Sequence, residues 1–214
     1  MKFIHEKGGF TLVELLVSIV IAGVISGAVY GTYQSQQRSY TVQEQVAVMQ
    51  QNLRNALYHL EHDIRMAGFD PLTGSGAGIL DAQADTIQIG MDINNDANTG
   101  QPDGDIGDPN ENVTYALNTV SGVQRLDRNN QPVADYIDAL DFVYLDGDGN
   151  VTAVTDDVRS IQITVVARTE RPDQHYSNND PFRNQQGDII LPAQADSYRR
   201  KALHVEVKCR NLGF

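Results

Sequence analysis

Hydrophobic and polar positions divide this chain into three regimes. From Phe10 to Tyr33 the residues are almost uninterruptedly apolar, 24 positions with one formal charge, Glu14. As a helix this run would measure roughly 36 Å, enough to cross a hydrocarbon core of about 30 Å. From Gln34 to Met66 there is neither Pro nor Gly, and the pattern becomes a stripe. Val42, Val46, Met49, Leu53, Ala56, Leu57, Leu60, Ile64 and Ala67 recur every three to four residues, as one face of an amphipathic helix does. Gln43, Gln45, Gln51, Asn55, His59, His62 and Arg65 occupy the other face. Gly68 offers the left-handed residue that a helix end needs, and Pro71 follows. A single helix from Phe10 to Ala67 would be about 87 Å long.

Beyond Gly68 the period falls to two. Ile87, Ile89 and Met91 share a face, as do Val113, Tyr115 and Leu117, and then Leu140, Phe142 and Tyr144. Ile161, Ile163, Val165 and Ala167 alternate with polar residues, and so do Leu203, Val205, Val207 and Cys209. Asp146-Gly-Asp-Gly-Asn150 reads as a hairpin turn leading to a short strand at Val151–Val154. Strands without helical patterns between them predict an antiparallel sheet, whose apolar face the helix stripe would cover. The fold class expected is α+β. The expected domains are a leader at 1–9, a membrane or filament-core helix at 10–33, its amphipathic half at 34–67, and a β-rich head at 68–214. Residues 170 to 198, with Pro172, Pro181 and Pro192, form a long loop and hence a candidate contact surface.

Charge and chemistry narrow the picture. A net charge of −12 disfavours nucleic acid as a partner. Gly74-Ser-Gly-Ala-Gly78 lacks the Lys-Ser/Thr of a phosphate-binding loop, and no nucleophile elbow or zinc-protease motif appears, so no enzymatic activity is expected. His59 and His62, with Asp63 nearby, read as a solvated helix face rather than a metal site. Cys209, the single cysteine, allows no intrachain disulfide and falls on the apolar side of its strand. No cofactor is required. Calcium is the one candidate: Asp92, Asn94 and Asp96 place oxygens at alternate positions, and Asp103, Asp105, Asp108 and Glu111 follow closely. Ala97 stands where an EF-hand needs glycine, so any site would be a looser one; an acidic solvated loop is the other reading.

The start of the chain carries the most specific signal. Small residues Gly8 and Gly9 precede the apolar run, whereas a secretory signal places its small-residue cleavage site after it. Lys2 and Lys7 lie before the span, so the leader is expected to remain cytoplasmic. Gly23, Gly27 and Gly31 recur every four residues and would admit a close helix neighbour. Glu14, a carboxylate inside an apolar helix, costs about 2.5–3.5 kcal/mol on insertion scales and calls for a role. Cutting between Gly9 and Phe10 would free an amine one helical turn away, able to neutralise Glu14 within or between chains and so set subunit register.

Lys7-Gly-Gly-Phe-Thr-Leu-Val-Glu14 resembles the signal of type IV prepilins and of type II secretion pseudopilins. Leu60-Glu-His-Asp-Ile-Arg-Met-Ala-Gly-Phe69, Val158-Arg-Ser-Ile-Gln-Ile163 and the closing Tyr198-Arg-Arg…Val-Lys-Cys-Arg-Asn211 resemble the PilW type of minor pilin. The J class of pseudopilin is a relative with the same long helix and β-rich head. The resemblance implies a pilin-like fold, cleavage after Gly9 by a prepilin peptidase and N-methylation of Phe10. It further implies an inner-membrane stage with the head periplasmic, and assembly with other minor pilins and the major pilin at the cell surface, where the chain primes or caps a pilus. A secretion pseudopilin and a pilus-borne adhesive module, with specificity in loops 92–112 and 170–198, are the alternatives.

Overall fold

The computed structural model describes residues 9–95 and 99–213. Its first element is α1, Leu12–Met66, 55 residues long. The helix ends where expected: Gly68 takes φ +77° and donates its N–H to the Gly90 carbonyl at 3.0 Å. The chain divides into two compact units, one up to Glu44 and one from Gln45 onward. In the first, the side chains from Phe10 to Tyr33 lie exposed along a helix long and apolar enough to cross a membrane. In the second, the stripe is fully buried from Met49 onward, through Leu53, Ala56, Leu57, Leu60, Ile64 and Ala67. The amphipathic residues from Gln45 onward lie in the same compact unit as the strands.

The rest of the head is antiparallel. β1 (Gly78–Ala82), β2 (Thr86–Gly90), β3 (Asn112–Val120), β4 (Val123–Arg128) and β5 (Gln131–Asp135) form a five-stranded meander. β6 (Ile137–Leu145), β7 (Ser160–Arg168) and β10 (Arg200–Lys208) form a second sheet in the order β10-β7-β6. β8 (Phe182–Arg183) and β9 (Ile189–Leu191) pair as a small hairpin inside the long loop. Helix stripe and both sheets share one core, with Ile87, Ile89, Tyr115 and Leu126 from the first sheet and Phe142, Ile161, Ile163 and Val165 from the second.

Three expectations need correction. The head has two principal sheets, not one. The β4–β5 hairpin is an addition: Asn129 and Asn130 take φ 49° and 63°, the left-handed pair of a tight hairpin turn. Val151–Val154 is not a strand; only Val151 bridges Leu145, and Thr155–Asp157 is a short 3-10 turn. Asp146 shapes the turn itself. Its Oδ1 accepts the N–H groups of Asp148 and Asn150, at 2.9 and 2.8 Å, closing the turn, and the pairing that follows stops after the Thr152 N–H bonds the Tyr144 carbonyl.

Candidate functional site

The N-terminal residues are notable for how little the fold asks of them. Phe10 is 89% exposed. A Cβ placed on Gly9, Gly23, Gly27 or Gly31 would meet nothing within 4 Å, so no contact among the described residues explains those glycines. Lys2, Glu6, Lys7 and Gly8 lie outside the described residues.

Glu14 does have a local task. Its carboxylate accepts the Thr11 N–H at 2.9 Å and the Thr11 hydroxyl at 2.8 Å, while Thr11 Oγ1 accepts the Glu14 N–H at 3.3 Å. This is a reciprocal capping box: two helix-end donors that nothing else in the helix can satisfy are satisfied together. The Thr-x-x-Glu spacing ahead of an apolar run was the available sequence signal for it. In the uncut chain Phe10 N is a peptide nitrogen, so the capping box is the arrangement that precedes any pairing with a freed amine.

At the far end of α1 a carboxylate is buried. Asp63 is 6% exposed, at a position in line with Leu57 and Leu60. Its Oδ2 accepts the Tyr115 hydroxyl at 2.7 Å and Arg128 Nε at 2.6 Å, and its Oδ1 lies 3.0 Å from His62 Nδ1. Arg128 also donates to Asn110 at 2.9 Å. Burial pushes the Asp63 carboxyl up, but hydrogen bonds from Arg128, His62 and Tyr115 outweigh it and hold the carboxyl below its usual range. Burial and the Asp63 charge push the Tyr115 phenol far up. His62 therefore serves a bolt between α1, β3 and β4, and His59 stands edge-on to Tyr58, with ring centroids 5.6 Å apart.

The acidic loop separates into two groups. Glu111, fully buried, accepts the N–H groups of Ile93 (2.9 Å), Asn94 (2.7 Å) and Asp108 (3.1 Å). Asp92, equally buried, accepts those of Asp103 (3.1 Å) and Gly104 (3.0 Å), and Asn94 Oδ1 accepts that of Gly100 (2.8 Å). These side chains replace a sheet ladder for a loop that has none. Asp96 lies outside the described residues. Asp103, Asp105 and Asp108 come together with one ligand oxygen each, all within 4.8 Å of one another, a set that can take a hard cation such as calcium. Titration calorimetry of the head with millimolar calcium tests this: heat and a raised melting temperature, both removed by Asp105→Asn, would establish a site. Absence of both would leave these carboxylates as parts of the loop.

Loop 170–198 is tied down by arginines. Arg200 bonds Asp138 (2.6 Å) and Asp196 (2.6 and 2.8 Å), and Arg199 bonds Asp173 and lies over the Tyr176 ring. The basic cluster at 199–200 is thus spent on ion pairs. Cys209 is buried, and burial pushes its thiol up to about 12, so it is an unreactive core residue.

Residues 5–30 match the family model of the prokaryotic N-terminal methylation motif. Among solved structures the chain is similar to a type IV-like pilin, TTHA1219 from Thermus thermophilus, at 17% identity and a TM-score of 0.49, over 76% of this chain and 97% of that one. No curated protein matches the chain.

Proposed function

We propose that this type IV pilin-like chain is a minor pilin. A prepilin peptidase cuts it between Gly9 and Phe10 and the new Phe10 amine is methylated; the subunit then primes or caps a pilus with other minor pilins and the major pilin. The observation that carries this reading is the methylation motif at residues 5–30, set on an apolar helix whose side chains no part of the described chain covers. Before assembly that helix spans the inner membrane with the head in the periplasm. In the filament, neighbouring subunits take the place of lipid.

The subfamily reading draws support from the head. The three segments that resemble PilW-type minor pilins meet in space. Asn211 Nδ2 donates to the Arg65 carbonyl at 3.1 Å, the Cys209 N–H donates to the Arg159 carbonyl at 2.9 Å, and β10 pairs with β7 along its whole length. They form one structural unit rather than three separate matches. Deleting the gene and counting surface pili tests the role: loss of pili, restored by the intact gene, supports priming. Normal pili with lost attachment would favour an adhesive module, and normal pili with lost protein secretion a pseudopilin.

Two substitutions at Glu14 separate its tasks. Glu14→Val removes both the capping box and the charge, and should leave insertion intact because a penalty of about 2.5–3.5 kcal/mol disappears. Glu14→Gln keeps a side chain that can complete the box but cannot neutralise an ammonium. Both variants are expected to reach the membrane and fail to co-purify with partner pilins. Normal assembly of Glu14→Gln would show that the pairing with Phe10 is not what sets register.

A further inference from the structure

β10 pairs with β7 on one side, through a register unbroken from Arg200 to Lys208, and among the described residues with no strand on the other. In an antiparallel ladder alternate residues spend both backbone groups on the partner, and those between them turn theirs outward. Two bonds flanking this ladder fix which is which: Thr169 N–H to the Arg199 carbonyl and Cys209 N–H to the Arg159 carbonyl, both at 2.9 Å. Odd-numbered residues therefore bond β7. Arg200, Ala202, His204, Glu206 and Lys208 turn N–H and C=O away from the sheet.

The edges at β5 and β6 carry caps. On β5, the Val133 and Asp135 carbonyls accept the Nδ2 groups of Asn55 and Asn52 from α1. On β6, the Phe142 N–H donates to the Ala84 carbonyl at 2.7 Å, and the Tyr144 carbonyl accepts the Thr152 N–H at 2.9 Å. On β10, Gln185 Nε2 reaches the Val205 carbonyl at 3.2 Å, an odd-numbered group that already faces β7. Among the described residues the outward groups of β10 carry no such cap.

The charge along this edge is opposite to that of the chain. Against a net charge of −12, Lys201, Lys208 and Arg210 are exposed and in no ion pair among the described residues. The one acid of the strand, Glu206, already accepts from Gln162 at 3.3 Å. We propose that the β10 edge is a docking site for an extended, acidic segment of a partner protein, which adds to the sheet as a fourth strand. Main-chain bonds to Ala202, His204 and Glu206 would supply the affinity; Lys208 on one face of the sheet and Lys201 on the other would select carboxylates near the two ends of the added strand. A second copy fits poorly: antiparallel self-pairing centred on His204 sets Lys201 against Val207 and Lys208 against Arg200, so neither lysine meets a carboxylate of the facing strand. This surface belongs to the head and stands independently of how the N-terminal segment is processed.

The full chain in detergent micelles, mixed with a nine-residue peptide that has two adjacent Glu at each end and Val and Thr alternating between them, and so offers carboxylates on both faces of an extended strand, tests the site. The peptide should slow hydrogen exchange at the amides of Ala202, His204, Glu206 and Lys208, with an affinity that falls as salt rises. The same peptide with Lys in place of Glu should not. His204→Pro removes an outward N–H and leaves the β7 ladder intact, and it should abolish the protection. Should that variant misfold, the pair Lys201→Glu and Lys208→Glu leaves the backbone unchanged and should weaken the acidic peptide by about tenfold or more. Equal binding of both peptides, no protection at these amides, or protection in the peptide-free chain that grows with protein concentration would overturn the proposal.

Discussion

Replacing Asp63 by alanine is expected to destabilise the head by about 3–5 kcal/mol, a large part of the 5–15 kcal/mol that holds an ordinary domain together. Asp63 is the common acceptor for Tyr115 and Arg128. Without it the guanidinium loses its ion-pair partner and the phenol, fully buried, loses its acceptor. Urea unfolding of the fragment 34–214 would measure the loss. Tyr115→Phe removes one bond and leaves the ion pair, so it should cost only about 1 kcal/mol. The pH dependence follows from the sign of the shift. The Asp63 carboxyl titrates lower in the folded head than in the unfolded chain. Its contribution is therefore complete above the unfolded value of about 4 and is lost as the pH falls through the lower folded value. The parent should lose more stability than Asp63→Ala on acidification below pH 4; equal losses would mean the carboxylate is not held as the geometry shows.

Replacing Gly9 by valine is expected to abolish maturation. A Cβ at this position meets nothing within 4 Å among the described residues, so folding should be untouched. On the proposed function, the restriction comes from the prepilin peptidase, whose pocket must accept the residue before the scissile bond. The variant should accumulate in the membrane as a chain nine residues longer, with no methylated Phe10. Intact-mass measurement of the purified protein checks this directly. A mature chain beginning at Phe10 in normal yield would show that the cleavage does not depend on a small residue here, and a mature parent beginning elsewhere would move the site.

What local pattern could show, the sequence showed. An apolar run from Phe10 to Tyr33, a stripe of period three to four and alternation of period two each state which side of an element avoids water, and that needs no knowledge of distant residues. The helix, its stop at Gly68 and the core strands were legible for that reason, and so was the Thr11–Glu14 cap in principle. Division into two sheets was not. No Gly or Pro separates Val133 from Leu145, and the break is made by Tyr136, which takes φ 59° with the Arg168 guanidinium 5.3 Å from its ring. Nor do the acidic letters announce their fates. Asp63 and Glu111 are buried while Asp105 is exposed, because burying a carboxylate requires donors to arrive. For Asp63 they come from 52 and 65 residues away, and for Glu111 from 17 and 18. The uncapped edge of β10 is likewise a property of which strands lie beside it. Only tertiary structure decides which polar groups find partners, because the partners are brought together by the fold and not by the sequence around each group.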